Sequence, residues 1–325
     1  MSSSASVNGV GNEQAVTLEV PATTSNLGPG FDTLGLALDL CNEVTLRIGR
    51  IGDASGIDRI SGEGQDALAT DESNLVLRAA TTLYQKLGQS PPPLRASLRN
   101  RIPLARGLGS SGTAVIGGLL AANTLAGEPY DSADLLAIAT DLEGHPDNVA
   151  PALLGGLVIS ALAESRDGPR ILTHRLDPPP AAIALCIPDQ PLATEAARQV
   201  IPRRVSLNTA VHNLGRVALL VAALATGDYT HLREAMDDRL HQPPRASVFP
   251  PLEPVIAAAL AAGAAGSCLS GAGSTLLALV PESTHAAHTV AAAMVQASAA
   301  AGYPAQPAVV HPREQGAVVI EKSSV

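Results

Sequence analysis

A loop of three glycines and two serines, PLARGLGSSG (Pro103–Gly112), decides how this chain is read. It follows residues 94–102, which alternate as a strand does, and it runs straight into an apolar helical stretch over 113–126. Three glycines let backbone N–H groups converge. The helix start adds orphan donors and about half an elementary unit of positive charge. Ser110 and Ser111 add hydroxyls that can cap the helix or hold a metal. Taken alone, the loop fits a capped helix start as well as it fits a phosphate site. Gly107–Gly112 has the GxGxxG spacing of a dinucleotide fingerprint. However, Pro103 and Arg106 stand where such a turn needs the strand to run into the first glycine. A Walker A loop needs a lysine in the turn, and the only lysines are Lys86 and Lys322.

Outward from the loop, 325 residues suit two domains of ~100–200 residues each. Hydrophobic residues at 46% and charged ones at 16% can bury a sizeable core. Aromatics are only 2%, too few for a stacking platform that binds single-stranded nucleic acid. A net charge of −9 has the wrong sign for a phosphate backbone or an anionic membrane. We therefore expect neither partner, and an anionic ligand must be met by local geometry. Cys41, Cys186 and Cys268 are odd in number and far apart, as buried thiols of a reducing compartment would be. Residues 1–15 read as a disordered tail, rich in Ser, Gly and Asn and without an apolar leader core. Residues 254–281 carry no charge, but four glycines break them, against a spanning helix. The protein is expected to be soluble and cytoplasmic.

Strands are expected at 16–21, 34–40, 43–48, 94–102, 170–176, 182–187, 267–270, 275–280 and 305–310. Helices are expected at 71–87, 113–126, 135–142, 192–200, 206–226, 229–236, 252–262 and 285–301. Strands and helices without strict alternation imply an α+β fold. The polar, Gly- and Pro-bearing dip at 161–169 is the expected domain boundary, dividing 16–165 from 166–325. Two further loops add to the phosphate reading, though each alone also fits an ordinary turn or solvated loop. Residues 22–32 bring Asn26 and Asp32 to a turn sharpened by Gly28, Pro29 and Gly30, and residues 270–275 put Gly271 and Gly273 between two apolar strands.

In order and spacing, PATTSNLGPGFDTLGLAL (21–38), PLARGLGSSG (103–112) and LSGAGSTLLAL (269–279) resemble the three motifs of the GHMP small-molecule kinases. NLGPGFD (26–32) and EGHPDNVAPALLGG (143–156) are similar to the branch that phosphorylates homoserine. Departures are few: Gly112 and Ser274 stand where Ala and Pro are usual, and Thr24–Ser25 where Ser-Ala is familiar. The resemblance implies the two-domain GHMP kinase fold. Its N-terminal ATP-binding domain is ribosomal-protein-S5-domain-2-like and its C-terminal domain is a ferredoxin-like α/β unit.

It implies ATP and Mg²⁺ as cofactors, and phosphorylation of the side-chain hydroxyl of L-homoserine on the way to threonine. Pro103, Leu104, Ala105, Arg106, Gly107, Leu108, Gly109, Ser110, Ser111 and Gly112, with Gly271 and Gly273, would cradle the nucleotide. Ser111 and Glu143, with Asp141 as the alternative acid, would hold the metal. Asp32 and Asp147 would accept from the substrate ammonium, and Arg198 and Arg245 would fork its carboxylate. Asn26, His145, Asn148 and Thr194 complete the polar lining. Asp147 could also serve as a general base. Relatives suggest a homodimer. Other GHMP substrates, a catalytically silent GHMP-fold binder and an NAD enzyme are the competing readings.

Overall fold

The computed structural model describes residues 14–50, 52–165 and 168–324; the expected tail lies outside these but for its last two residues. The strands are β1 (Gln14–Ser25), β2 (Leu34–Ile48), β3 (Gly56–Gly62), β4 (Leu94–Asn100), β5 (Leu157–Ser165), β6 (Gly168–Leu176), β7 (Ala181–Pro188), β8 (Gly266–Leu269), β9 (Leu276–Pro281), β10 (Ala305–Val310) and β11 (Val318–Ser324). The first four helices are α1 (Leu75–Lys86), α2 (Ser110–Leu125), α3 (Ser132–Glu143) and α4 (Pro146–Leu154). Then come α5 (Thr194–Gln199), α6 (Leu207–Thr226), α7 (Leu232–Ala235), α8 (Gln242–Ala246), α9 (Leu252–Ala261) and α10 (Ala287–Ala300).

Two sheets carry these elements. The seven-stranded sheet runs β11-β1-β2-β4-β3, with β5 pairing the start of β2 and β6 pairing β5. Within it only β3 and β4 are parallel. The four-stranded sheet, β10-β7-β9-β8, is wholly antiparallel. Period-2 alternation fixes which face each side chain takes. Along β7, Ile183 and Leu185 join Leu36, Leu38 and Leu157 in the core between the two sheets. Ala182, Ala184 and Cys186 face α9 and α10 instead. A third core lies under α1–α4, where Val20, Val44, Val115 and Leu119 meet. Truncating such a leucine to alanine costs ~2–5 kcal/mol.

Within the stretch expected as a linker, residues 161–165 and 168–169 are instead paired strand. β5 and β6 pair from Leu157↔Leu176 outward, so the first sheet continues beyond the expected boundary to Leu176. Polar composition there marks a sheet edge, not a domain break. The two strands expected at 34–40 and 43–48 are one strand, β2, and α2 begins three residues early, at Ser110. The short helix α8 and the strands β3 and β11 lie outside the expected elements. α6 is long and apolar enough by length and composition to cross a membrane, with a mean hydropathy of 1.3. It packs on the inter-sheet core through Leu220 and Leu224. All three cysteines are free and buried.

Candidate active site

Hydrogen bonds to backbone carbonyls stitch the three glycine-bearing loops together. The Ser270 hydroxyl donates to the Gly107 carbonyl at 2.7 Å, and Thr275 N–H donates to the Arg106 carbonyl at 3.0 Å. Gly271 N–H donates to Ser25 O at 3.1 Å, and Thr23 N–H to Leu108 O at 3.2 Å. Gly107 has φ +75°, and a Cβ there would sit 2.2 Å from Ser270 O, so only glycine lets these loops touch. The loop then turns into α2 through Gly109, a left-handed N-cap with no side-chain cap bond. Donors of the first turn of α2 therefore have no side chain of the cap to satisfy them, as an anion site requires.

These loops line a cleft of about 320 Å³. It gathers Ala105 through Gly112, Gly271, Ser111, Glu143, Asn26, Asp32, His145, Asp147, Asn148, Thr194, Arg198 and Arg245. Pro103, Leu104 and Gly273 do not line it. Gly273 N–H is turned onto Ser270 O at 2.8 Å. Arg106 lines the cleft, but its guanidinium is committed to the carbonyls of Pro188 (2.7 Å), Leu104 (2.9 Å) and Asp189 (2.5 Å). It clamps the loop to the end of β7. Neither lysine takes part: Lys86 pairs with Asp141 at 3.6 Å and Lys322 with Glu128 at 2.8 Å. Asp141 does not line the cleft.

Ser111, in the first turn of α2, donates to Glu143 Oε1 at 2.5 Å. Glu143 ends α3, whose C-cap Gly144 at φ +84° lets the chain turn into His145 and α4. Asp147 in the first turn of α4 is buried, with Oδ1 2.6 Å from His145 Nδ1 and 3.3 Å from Asn148 Nδ2. That hydrogen bond is the main cause raising the His145 pKa above the ordinary 6.5, while partial burial opposes it.

Two expected ligand groups are largely occupied by the protein. Asn26 donates to Gly271 O at 2.9 Å and accepts from Asp32 N–H at 3.0 Å, latching the first motif to the third. Asn148 donates to Ser25 Oγ at 3.1 Å and accepts from the Thr23 hydroxyl at 2.9 Å. Arg198 does fork a carboxylate, and it is that of Asp32, at 2.7 and 3.1 Å. Arg245 is buried, and burial first, then repulsion from Arg198, pushes its pKa down to about 10, leaving it charged at neutral pH.

Phe31 was not among the expected site residues. Its ring lies 5.6 Å from the Arg198 guanidinium carbon and 5.7 Å from that of Arg245, and stacks on His241 at 5.2 Å. In a chain with two phenylalanines, one braces Arg198 and Arg245 together. Position 31, beside Asp32 in the first motif, was the only signal that could have found it.

Residues 74–156 match the model of the GHMP kinase N-terminal domain, and residues 220–299 that of the GHMP kinase C-terminal domain. A homoserine kinase of Moorella thermoacetica is 46% identical over 263 residues, covering 80% of this chain and 86% of the relative. A homoserine kinase of Desulfitobacterium hafniense is 44% identical over 94% of this chain and all of its own length (100%). The crystal structure of a homoserine kinase from Cytophaga hutchinsonii superposes with a TM-score of 0.83 at 31% identity, covering 98% of this chain and 100% of that one. The stitched loops, the cleft they line and these likenesses agree: the chain belongs to the GHMP kinases, in their homoserine kinase family.

Proposed function

We infer that the chain transfers the γ-phosphoryl group of ATP to the side-chain hydroxyl of L-homoserine, giving O-phospho-L-homoserine for threonine synthesis. The observation that carries this reading is one cleft in which a helix N-terminus meets side chains of both charges. Phosphoryl transfer is mostly positioning and charge neutralisation. Backbone N–H groups of residues 107–112 would receive the triphosphate at the start of α2. Asp32 and Asp147 would take the ammonium, while Arg198 and Arg245 would take the carboxylate. A zwitterion inserted between Asp32 and Arg198 exchanges one ion pair for two, which favours this substrate over an uncharged alcohol.

Mg²⁺ fits the donors present: a hydroxyl and a carboxylate, both hard oxygens, 2.5 Å apart beside the phosphate loop. Ser111 and Glu143 would hold it. When bound, it neutralises charge on the transferring phosphates. Asp147 is read as a substrate ligand, not a base, because its Oδ1 already accepts from His145 and Asn148.

The enzyme is read as cytoplasmic and homodimeric. Leu207, Val211 and Leu214 on α6 are 78%, 58% and 71% exposed, while His212 of the same helix turns inward to Asp237 at 3.0 Å. A helix that keeps an exposed apolar stripe besides the buried Leu220 and Leu224 suits a two-fold contact with a second copy.

The reading is tested by ADP release. It should require both homoserine and Mg²⁺, and Ser111→Ala should lower it by about 10²–10³-fold, the cost typical of losing one transition-state oxygen contact. ADP release with mevalonate, shikimate or a sugar but not homoserine would overturn it.

A further inference from the structure

Beneath the cleft lies a second cluster of titratable side chains, Asp238, His241 and Arg245, whose histidine has no part in the function just described. His241 is fully buried, and both its ring nitrogens are committed. Nε2 lies 2.7 Å from the Gly28 carbonyl oxygen, and Nδ1 lies 2.8 Å from Arg245 Nη1. A carbonyl only accepts and a guanidinium only donates. The proton therefore sits on Nε2 and the lone pair on Nδ1, so the ring is neutral with a fixed tautomer. Burial, the largest cause, pushes its pKa down, and the Arg245 charge adds to this against the opposing charge of Asp238.

Asp238 does not compete for that ring. Its carboxylate accepts from Asn213 Nδ2 (2.7 Å) and from the N–H groups of Leu240 (2.9 Å), His241 (2.9 Å) and Gln242 (2.7 Å). Its Oδ2 is 3.6 Å from His241 Nε2, well beyond the Gly28 contact. Asp238 thus holds the turn that carries His241, and the imidazole is left to link two other groups.

On one side, Arg245 spends Nη1 on His241 and on Gly271 O (2.9 Å), and Nε on Ala197 O (3.2 Å). Nη2 is its one nitrogen without a protein partner among the described residues. On the other side, Gly28 has φ +85°, and a Cβ there would meet Met236 O at 2.4 Å, so the turn is seated against the segment leading to Asp238. The Gly28 carbonyl is thereby fixed at one point by backbone packing and at a second by His241. Phe31, three residues on, stacks on the same imidazole.

We propose that His241 is a positioning residue for the amino-acid substrate: its neutral imidazole passes a hydrogen bond from Arg245 to Gly28 O, aiming Arg245 Nη2 while seating the turn that carries Asp32. One ring thereby sets the distance between the carboxylate-binding and ammonium-binding groups. This rests on the homoserine reading above.

The test compares His241→Leu, His241→Asn and His241→Gln. Asparagine keeps an acceptor toward Arg245, glutamine keeps a donor toward Gly28, and leucine keeps neither. We expect leucine to raise KM for homoserine about tenfold or more, the loss typical of a hydrogen bond to a charged group. KM for ATP should stay within twofold, and the two amide variants should recover part of the homoserine affinity.

A folded leucine variant with unchanged homoserine KM, or with both KM values raised alike, overturns the proposal. Should leucine prevent folding, ¹⁵N spectra of wild-type histidines decide. A neutral Nε2–H ring that does not titrate between about pH 6 and 8 supports the proposal, and a titrating or Nδ1–H ring overturns it. Wild-type protein that ignores homoserine would refute the function, while the spectra would still report on the relay.

Discussion

Replacing Gly107 by alanine adds one methyl group where two loops already touch. At φ +75° an L-residue costs ~1–2 kcal/mol of backbone strain. The new Cβ would also lie 2.2 Å from Ser270 O and 2.9 Å from Gly273 O, both backbone atoms that no rotamer change can move. Restoring contact distance needs a displacement of about 1 Å, and overpacking of this kind adds ~1–3 kcal/mol. The sum is about 2–5 kcal/mol out of a total stability of ~5–15 kcal/mol. The same displacement separates the 103–112 loop from the 270–275 loop, and a 1 Å misplacement costs about 10²-fold in rate. Denaturant unfolding and homoserine-dependent ADP release measure the two effects independently.

The control lies five positions away. At Gly112 a Cβ would find its nearest neighbours at 3.4 Å, an ordinary contact, inside the first turn of α2. Gly112→Ala should therefore be neutral or stabilise by up to ~1 kcal/mol, as alanine does in helices. The reasoning is refuted if Gly107→Ala unfolds within about 0.5 kcal/mol of wild type and keeps kcat within twofold. It is equally refuted if Gly112→Ala is the more damaging of the pair.

Further outcomes follow from the site and from α6. Asp147→Asn should raise KM for homoserine more than it lowers kcat, whereas a large kcat loss at unchanged KM would make Asp147 a general base. Asp147 raises the His145 pKa, so the pair's stabilisation is complete below about pH 6.5 and fades as pH rises through the folded value. The stability gap between wild type and Asp147→Asn should accordingly narrow with rising pH, and the His145 resonance of the variant should titrate lower. Leu214→Glu, at a position 71% exposed, should leave the monomer folded but halve the mass in light scattering. Wild type already running as a monomer would remove the dimer.

The glycine-bearing loops of the cleft are legible because each is a contiguous run whose glycines must adopt particular backbone angles, so its identity survives in local sequence. Residues 103–112 carry their chemistry in one turn, and the structure needs only to bring the other two loops against it. Arg198 and Arg245 were legible only through resemblance, since a lone arginine has no periodicity to betray its direction. His241 and Phe31 escaped altogether: their role is a ring contact across the fold, and nothing near either position encodes the other. The charge on Arg198 was foreseen, but its bond to Asp32 was not, because pairing depends on where α5 sits. β11 reads VVIEKSS, too polar to announce a strand, and exists because β1 offers it an edge. The end of β5 reads as a linker for a like reason: the end of a hairpin at a sheet edge looks polar, and so does a connector.

The pairing of Gln14 with Ser324 also orders events during synthesis. β1 is the strand from which the first motif issues, and one of its edges is covered only by residues far downstream. A nascent chain can pair β1 with β2 as soon as both have emerged, but its other flank stays an open template until residues 318–324 are made. Over that interval the exposed edge can pair with another ribosome's product. Expression at lower temperature or with holdase chaperones should then favour soluble yield more than it favours the stability of the finished enzyme.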